Sequence, residues 1–420
     1  MFYELFREII SSVRRNKLRT ALTGFSVAWG IFMLIFLLGA GNGLINAQMQ
    51  SSDRYLANSM VVFGGRTSKA YDGLGEGRGI SLRSIDMMTT DSVFAGVVDR
   101  VAAVYDKGGV TLTTDHNYMT GQTLSGVYPA NRDMNKRQIV GGRFINDIDM
   151  RERRKVAVVS EDQARELWPR GGSPVGRTLR ADGLVWRVVG VYRGDGMGQA
   201  TDVYCPHTTI CAIYSTDSRV GNIEFTFGGL ETEEQNTAFE ADYRAKLNLN
   251  HRAAPDDENS VWLWNRFMDN IQMAEGIGIL RTALWAVGLL TLLSGIVGVS
   301  NIMLITVRER TREFGIRKAI GAGPWSILRL VVVESVAITA VFGYVGMFCG
   351  IAANEYMAAT IGRTQVDTGL FKATMFADPT VGIDVCLQAT LVIIVAGTLA
   401  GLAPARRAAR VRPIEALNDH

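Results

Sequence analysis

The sequence predicts a membrane protein with four transmembrane α-helices, the first two extended as a helical stalk, and a mixed α+β soluble domain in two lobes between them. Four stretches of the 420 residues lack the charges of their surroundings, and a segment of about 20 uncharged residues spans a hydrocarbon core of roughly 30 Å. Arginine clusters flank these stretches unevenly. The long region between the first two stretches shows alternating patterns that predict strands at 60–63, 155–159, 178–192 (with an Ala-Asp-Gly hairpin turn) and 222–227, and patterns that predict helices at 161–168 and 233–247.

The apolar stretches are the strongest signal. They lie between Arg19 and Asp53, between Arg281 and Arg308, from Ser335 to Asn354, and from Val385 to Ala405. Soluble cores seldom need helices that are apolar all round, so four of them in one soluble protein would lack polar surface to cover them. The first stretch is too long for a cleaved signal peptide, which makes it a permanent anchor.

Basic residues predict the orientation, because short cytoplasmic flanks and loops are enriched in lysine and arginine. Three basic groups occur, before the first span, after the second and after the fourth: Arg7, Arg14, Arg15, Lys17 and Arg19; Arg308, Arg310, Arg312, Arg317 and Lys318; Arg406, Arg407, Arg410 and Arg412. The loop between spans three and four has only Arg363 and Lys372. We therefore expect both termini in the cytoplasm of a multi-pass inner (plasma) membrane protein, with the large domain periplasmic or extracellular.

The first two spans are longer than a membrane requires. The uncharged run over 20–52 would reach about 50 Å as a helix at 1.5 Å per residue. The excess predicts a stalk in which an apolar stripe before span two packs on the end of span one. The expected contact residues are Leu44, Ile45, Met49, Trp264, Phe267, Met268 and Ile271.

These patterns divide the chain into nine segments. We expect an amphipathic cytoplasmic helix at 1–19, span one and its stalk at 20–57, the α+β domain at 58–261, and the stalk with span two at 262–307. A porter-like lobe would comprise about 58–110 and 218–261, with an inserted lobe at about 111–217. The remaining segments are a coupling loop at 308–325, span three at 326–354, an outer loop at 355–382, span four at 383–405 and a tail at 406–420.

No catalytic or metal-binding pattern appears. The chain has no Gly-Lys dipeptide and hence no Walker A phosphate loop. The four histidines lack metal-ligand spacing, so the sequence predicts no enzyme, no metal site and no cofactor of its own. Cys205 and Cys211 lie in the exported domain, where an oxidising compartment would permit a disulfide, but their spacing leaves the bridge open.

The loop after the second span mixes charges, glycines and an apolar pair. A short helix there would present Phe314 and Ile316 to a pocket; the plain alternative is a solvated, positively charged loop. Glu334 lies nearby inside the third apolar segment, where an ionised carboxylate costs roughly 2.5 to 3.5 kcal/mol at the bilayer centre. It would either reach the inner interface or pair with a neighbouring helix or Arg329.

Several motifs resemble one known family, the ABC transporter permeases of the MacB and FtsX type. The stretch 301–322, which contains Arg-Glu-Phe-Gly-Ile-Arg-Lys-Ala-Ile-Gly, resembles their motif after the second span, and 404–417 is similar to their C-terminal signature. The entry to span one, 17–23, also resembles theirs. In the middle region, Gly142-Arg-Phe144, Lys155–Val159, Pro174–Thr178 and Val188–Val191 match the MacB-type extracytoplasmic domain in order and spacing.

The resemblance implies a stand-alone permease subunit that works as a dimer, with a second copy or a sister permease, and with an ABC ATPase. Since only about 19 residues precede span one, the ATPase, with its ATP and Mg, is expected in trans, unlike in MacB, where it is fused. A periplasmic adaptor and an outer-membrane channel are further possible partners, whereas nucleic acid is not. The residues implied to dock on the ATPase are Glu309, Arg310, Arg312, Glu313, Phe314, Gly315, Arg317, Lys318 and Gly321.

The function implied is mechanotransmission, in which ATP hydrolysis moves the external domain to export a periplasmic or membrane substrate. Two alternatives within the family stay open: lipoprotein release, and regulation of cell-wall hydrolases as in FtsX. From another class, the chain could be a membrane-anchored receptor or binding module without transport. A secondary transporter is disfavoured, because four spans lack inverted repeats and a row of polar ligands at the membrane midplane.

Overall fold

The computed structural model describes residues 17–52, 55–115, 117–169, 171–194, 202–215, 218–360, 366–367, 372–373 and 377–410. Most of the predicted amphipathic helix at 1–19 and of the tail at 406–420, and part of the outer loop at 355–382, lie outside these ranges. The chain divides into a helical unit, Met1–Gln48, Gly276–Thr364 and Met375–His420, and an α/β unit, Met49–Glu275 and Gln365–Thr374.

Eleven helices and twelve strands occur in the described ranges. The helices are α1 (Lys17–Ser52), α2 (Ser84–Val93), α3 (Asn131–Met134), α4 (Asp147–Arg151), α5 (Glu161–Leu167), α6 (His207–Tyr214), α7 (Glu233–Asn250), α8 (Arg266–Glu309), α9 (Thr311–Ala319), α10 (Pro324–Thr360) and α11 (Ile383–Arg410). The strands are β1 (Ser59–Gly64), β2 (Val98–Thr113), β3 (Tyr118–Val127), β4 (Ile139–Gly142), β5 (Val156–Ser160), β6 (Thr178–Ala181), β7 (Leu184–Tyr192), β8 (Asp202–Pro206), β9 (Asn222–Phe227), β10 (Val261–Asn265), β11 (Val366–Asp367) and β12 (Lys372–Ala373).

Four helices are long and apolar enough to cross a membrane: α1 over Gly24–Met49, α8, α10 and α11. This confirms the four predicted spans. With 36 residues in α1 and 44 in α8, the two helices measure about 54 and 66 Å at 1.5 Å per residue, against roughly 30 Å of hydrocarbon. Both are therefore continuous helices well beyond membrane thickness.

The helical unit packs through small residues, which let helix backbones approach closely. A Cβ atom at Gly346 of α10 would lie 2.2 Å from the carbonyl oxygen of Ala28 on α1, so only glycine fits there. About three turns nearer the start of α10, the Ser335 hydroxyl donates to the Gly397 carbonyl of α11 at 2.9 Å. Helix α10 therefore packs closely on both α1 and α11.

One continuous ten-stranded sheet forms the α/β unit, in the order β10-β1-β9-β2-β3-β8-β5-β7-β4, with β6 pairing to β2 and β7. The predicted strands at 60–63, 155–159, 178–192 and 222–227 are confirmed within β1, β5, β6–β7 and β9. Asp182 and Gly183 have positive φ values of 50° and 74°, the geometry of a two-residue hairpin turn. The predicted helices at 161–168 and 233–247 correspond to α5 and α7.

Three apolar cores pack on this sheet. The first contains Met60 and Phe225 among its buried members, the second Leu112 and Trp186, and the third Tyr192. The two cysteines whose pairing was left open are both free thiols, with Cys205 fully buried and Cys211 half-buried. Burial raises the pKa of the Cys211 thiol to about 11.

Candidate functional site

Helix α9 lies between the second and third spans and carries most of the predicted coupling residues. It begins after Arg310, whose backbone leaves the helical region, and ends before Gly321, whose φ of +104° favours glycine. Pro324 then opens α10, the position at which a missing N–H costs nothing. Glu313 in its first turn and basic residues in its last turn match the helix dipole.

One face of α9 packs into the helical unit. The Phe314 side chain is 1% exposed and belongs to the same core as Val307, Ile327 and Ala405. The Arg310 guanidinium lies 5.5 Å from the centre of its ring. Burying a phenylalanine contributes about 1.5 to 3 kcal/mol relative to exposing it, so this residue anchors α9 to the spans. The prediction that Phe314 is presented outward is therefore wrong.

Arg310 joins two carboxylates. Its Nε and Nη2 atoms donate to the two Glu313 oxygens at 2.8 and 3.0 Å, and its Nη1 atom donates to Glu334 Oε2 at 3.0 Å. The Arg317 Nη2 atom donates to Glu313 at 2.9 Å. The hydrogen bond from Arg310 lowers the pKa of Glu313 in spite of partial burial, with the charges of Arg310 and Arg317 adding to the effect. Glu313 therefore stays ionised at neutral pH.

The ion pair with Arg310 explains how the Glu334 carboxylate is tolerated within the third apolar segment. Its side chain is 7% exposed and that of Arg310 19%, so the carboxylate is compensated within the protein instead of by water. Of the two alternatives, pairing with a neighbouring helix is the one observed, but with Arg310 instead of Arg329, which is exposed. The partner lies 24 residues away at a turn between helices, and no sequence spacing points to it.

A second tie connects α9 to the last span. The Lys318 Nζ atom donates to the Ala409 carbonyl in the final turn of α11 at 2.5 Å. Cations near a helix C-terminus satisfy its free carbonyls and its dipole. Through Glu334 on α10 and Ala409 on α11, α9 is fastened to both spans that follow it.

The opposite face of α9 is exposed. Ile316 and Ile320 are 42% and 82% exposed, and the Trp325 side chain just beyond is 80% exposed. Arg312 and Gly321 are exposed as well. Arg312, Ile316 and Ile320 follow each other at intervals of four residues and hence share one face. This apolar and cationic surface, defined by Arg312, Ile316, Ile320 and Trp325, is called the α9 outer face below.

The predicted coupling residues thus fall into two groups. Arg310, Glu313, Phe314, Gly315, Arg317 and Lys318 are buried or half-buried, whereas Glu309, Arg312 and Gly321 are exposed. The docking residues implied by the resemblance did not include Ile320 and Trp325. Both are large apolar residues in a charged loop, a pattern from which they could have been predicted as contact residues.

The predicted stalk residues behave differently from one another. Trp264 lies in β10, not in a helix, so the helical stripe begins later than predicted. Phe267 of α8 packs on Phe227 within the α/β unit, with ring centres 6.3 Å apart. Ile45 is buried, while Leu44 and Met49 are more than half exposed. Met268 and Ile271 are half-buried, and pairing between the two stalk helices stays a prediction.

Two family models match the chain. The MacB-like periplasmic core domain matches residues 20–245, and the FtsX-like permease C-terminal domain matches residues 285–413. The first match covers more than half of the 420 residues. The second includes α9 and the Arg310–Glu334 pair.

Among similar proteins, the uncharacterized ABC transporter permease YknZ of Bacillus subtilis is 26% identical over 99% of this chain and 98% of its own length. The macrolide export ATP-binding/permease protein MacB of Neisseria gonorrhoeae is 26% identical, again over 99% of this chain but only 61% of its own length. The MacB protein of Chlorobium luteolum is 29% identical, and the chain covers 60% of it. The chain therefore spans about three fifths of the MacB relatives.

Two solved structures align with about half of this chain. The periplasmic region of MacB from Actinobacillus actinomycetemcomitans aligns with 53% of this chain and 95% of its own, at 19% identity and a TM-score of 0.42. The extracellular domain of YknZ from Gram-positive bacteria aligns with 50% of this chain and all of its own, at 20% identity and a TM-score of 0.40.

Proposed function

Because this chain belongs to the family of ABC transporter permeases that combine a MacB-like periplasmic core domain with an FtsX-like C-terminal domain, we propose that it couples ATP hydrolysis by a separate ATPase subunit to movement of its extracytoplasmic domain. The movement serves export or efflux of a periplasmic or membrane substrate. ATP and Mg bind the ATPase in trans, and this chain contributes no catalytic group.

The two-faced structure of α9 is the observation that carries the proposal. A helix that docks on a moving partner must expose a contact surface and must also be fixed to the elements that it moves. The α9 outer face supplies exposed Ile320 and Arg312, and apolar residues with arginine are typical of interface anchors. The inner face is fastened through Phe314 to the core, through Arg310 to Glu334 and through Lys318 to Ala409.

The long helices support the second half of the proposal. Helix α8 is continuous from Arg266 to Glu309, where it ends one residue before Arg310. A continuous hydrogen-bonded helix is stiff along its axis, so a displacement of α9 would move α8 as a whole. Both termini and α9 are assigned to the cytoplasm in this proposal, in accord with the positive-inside distribution of arginine.

The same reasoning sets the expected assembly. Two permease copies, or this chain and a sister permease, form a dimer that binds two ATPase subunits. A periplasmic adaptor and an outer-membrane channel complete the pathway in cells with an outer membrane. The lipid bilayer surrounds the spans, whose outward residues are apolar, as Leu290 and Val297 illustrate with exposures of 65% and 58%.

Affinity purification of the full-length protein from its native membrane tests the proposal. We expect an ABC ATPase to co-purify with the wild-type protein. The control variant Tyr118→Glu, which alters an exposed residue of the α/β unit, should recover about the same amount of ATPase. With Ile320→Glu on the α9 outer face, the amount of co-purified ATPase should fall at least tenfold, because the substitution buries a charge at the interface. The elution volume of this variant in size-exclusion chromatography should equal that of the folded wild-type protein.

Two results would contradict the proposal. Equal ATPase recovery with Ile320→Glu and with Tyr118→Glu would remove the α9 outer face as the contact surface. Absence of any ATPase from a preparation of intact wild-type protein would instead favour a membrane-anchored receptor without transport.

A further inference from the structure

A polar cavity opens on one face of the sheet in the α/β unit, at the point where α8 begins. Its volume is about 200 Å³, and its lining includes Tyr55, Asn135, Glu224, Trp264 and Arg266. Glu224 lies in the interior strand β9 and is paired in register with Val61 of β1 and Ala102 of β2. A carboxylate in the middle of a sheet, 8% exposed, needs an explanation, because an unpaired buried charge is strongly unfavourable.

Arg266 provides most of that explanation. Its side chain is 6% exposed, and its Nη2 atom lies 3.8 Å from Glu224 Oε1. The Nη2 atom also donates to Asn135 Oδ1 at 3.2 Å, and the Nη1 atom donates to Ser59 Oγ at 3.1 Å. The guanidinium stands 4.0 Å from the ring centre of Tyr55 and 5.0 Å from that of Trp264, within cation–π range.

The remaining carboxylate oxygen of Glu224 is also satisfied. The side-chain amides of Asn131 and Asn135 donate to Glu224 Oε2 at 2.6 and 2.9 Å. These asparagines lie in and directly after the short helix α3. The charge of Arg266 therefore meets a carboxylate already held in position by two amides, which makes the pair rigid instead of freely rotating.

Arg266 lies at the point where the chain leaves the α/β unit, close to the segment by which the chain enters it. Tyr55 and Ser59 belong to the segment by which the chain enters the α/β unit after α1, and Arg266 is the first residue of α8, by which the chain leaves it. Ser59 and Asn265 also border the paired strands β1 and β10. The guanidinium at the start of the leaving helix thus contacts both the entering segment and the interior strand β9.

We infer that Arg266 is a positioning residue that fixes the first turn of α8 and the entering segment to the interior strand β9, so that a displacement of α8 moves the sheet as one body. The inference rests on the proposed function only for the origin of that displacement. A flexible connection at this point would absorb the displacement of a stiff helix. A buried guanidinium with two hydrogen bonds, one ion pair and two aromatic rings in contact does not allow that freedom.

The chemistry of the cluster indicates that Arg266 serves to position α8 and not only to stabilise the fold. Well-packed apolar residues of similar volume are often as stabilising as a buried ion pair, so an apolar joint would serve if stability were the only requirement. Among the residues that the structure describes, no atom forms a hydrogen bond with Arg266 Nε, which is a further cost. What the guanidinium adds is geometry, because its planar fork fixes direction as well as distance.

The test separates position from folding. Spin labels at the exposed residues Gln272 of α8 and Glu234 of α7, in a full-length background whose native cysteines are replaced by alanine, report the distance between helix and domain. We expect a narrow distance distribution in the parent protein and a distribution at least twice as wide in Arg266→Met. The double variant Arg266→Met/Glu224→Gln should recover thermal stability, because no unpaired charge remains, but should keep the wide distribution.

Arg100→Met is the matched control, because Arg100 pairs with Asp133 at 3.5 Å on the surface of the same unit, with both side chains 60% exposed. It should leave the distribution narrow. A narrow distribution in folded Arg266→Met protein would overturn the inference, as would a double variant that regains the narrow distribution together with its stability.

A second pair of labels keeps this result apart from the proposed function. Glu234 in the α/β unit and the exposed Ile383 at the start of α11 should change their separation when ATP is added to the purified permease–ATPase complex, and Arg266→Met should abolish at least half of that change. If the separation of these labels in the parent complex does not change when ATP is added, the proposed function is contradicted, while the inference that Arg266 fixes α8 to the sheet is unaffected. If Arg266→Met widens the first distribution but leaves the ATP response intact, the role of Arg266 in transmission is refuted.

Discussion

Replacing Arg310 by methionine tests the site directly, because it removes the positive charge and the hydrogen bond that Arg310 brings to the buried Glu334 carboxylate. The arginine Nη1 atom and Glu334 Oε2 are 3.0 Å apart, and the Glu334 side chain is 7% exposed. Methionine keeps much of the apolar length of the arginine side chain. The variant therefore removes the charge, the hydrogen bonds and the guanidinium contact with the Phe314 ring at 5.5 Å, and changes the side-chain volume little.

The magnitude follows from the burial of the two partners. Breaking a buried pair by removing one member costs about 3 to 5 kcal/mol. Since the Arg310 side chain is 19% exposed, the lower end applies, about 3 kcal/mol. At about 2 to 4 °C per kcal/mol for a unit of 150 to 250 residues, the melting temperature of the helical unit should fall by about 6 to 12 °C. Glu334→Gln should cost much less, since Arg310 keeps both hydrogen bonds to Glu313.

Thermal unfolding of the detergent-purified protein, followed by aggregation and by intrinsic fluorescence, measures these effects. Arg310→Met/Glu334→Gln should regain most of the lost stability, and Arg312→Met, which changes an exposed arginine of the same helix, should stay within about 1 °C of wild type. A melting temperature of Arg310→Met equal to that of Arg312→Met would refute the buried-pair argument. So would a double variant no more stable than Arg310→Met alone.

Two further predictions concern the α/β unit and the helix packing. Burial lowers the pKa of His207 despite its hydrogen bond to a backbone carbonyl. The unfolded chain therefore binds the proton more tightly than the folded protein. The contribution of His207 to the free energy of unfolding is fully present above about pH 6.5, and the free energy falls below that pH by at most about 1.4 kcal/mol per pH unit. In His207→Gln, melting curves between pH 7.5 and 5.5 should show a smaller loss than wild type, and an equal loss would contradict this assignment. Gly346→Ala should destabilise the helical unit by about 1 to 3 kcal/mol, because its Cβ would meet the Ala28 carbonyl at 2.2 Å. Gly276→Ala, with no atom within 4 Å of the added carbon, should be neutral or slightly stabilising, and similar melting temperatures for the two variants would argue against the close approach.

Local and periodic features of the sequence predicted most of the fold. The four spans follow from runs without charge, and the strands β1, β5 and β9 follow from short apolar runs bounded by turn residues. The hairpin between β6 and β7 follows from Asp182 and Gly183, which tolerate positive φ. Each of these signals depends on neighbouring residues alone, and so the sequence contains it directly.

The candidate site was only half predictable. Its location in the loop after span two followed from the motif, but the division of α9 into an anchored and an exposed face did not. Phe314 reads as an exposed apolar residue in a charged loop, yet it lies in the core of the helical unit. Burial of such a residue depends on which helices surround it, and a single short helix does not specify them.

The sequence by itself determined that four helices enter lipid and that a strand-rich domain lies between the first two, because transfer free energy and backbone periodicity are properties of consecutive residues. Only the tertiary structure decided that Glu334 pairs with Arg310 and that Arg266 meets Glu224, 42 positions earlier in the chain. Such contacts form where distant segments are brought together by packing, and Coulombic attraction acts over a few ångströms of space whatever the separation along the chain.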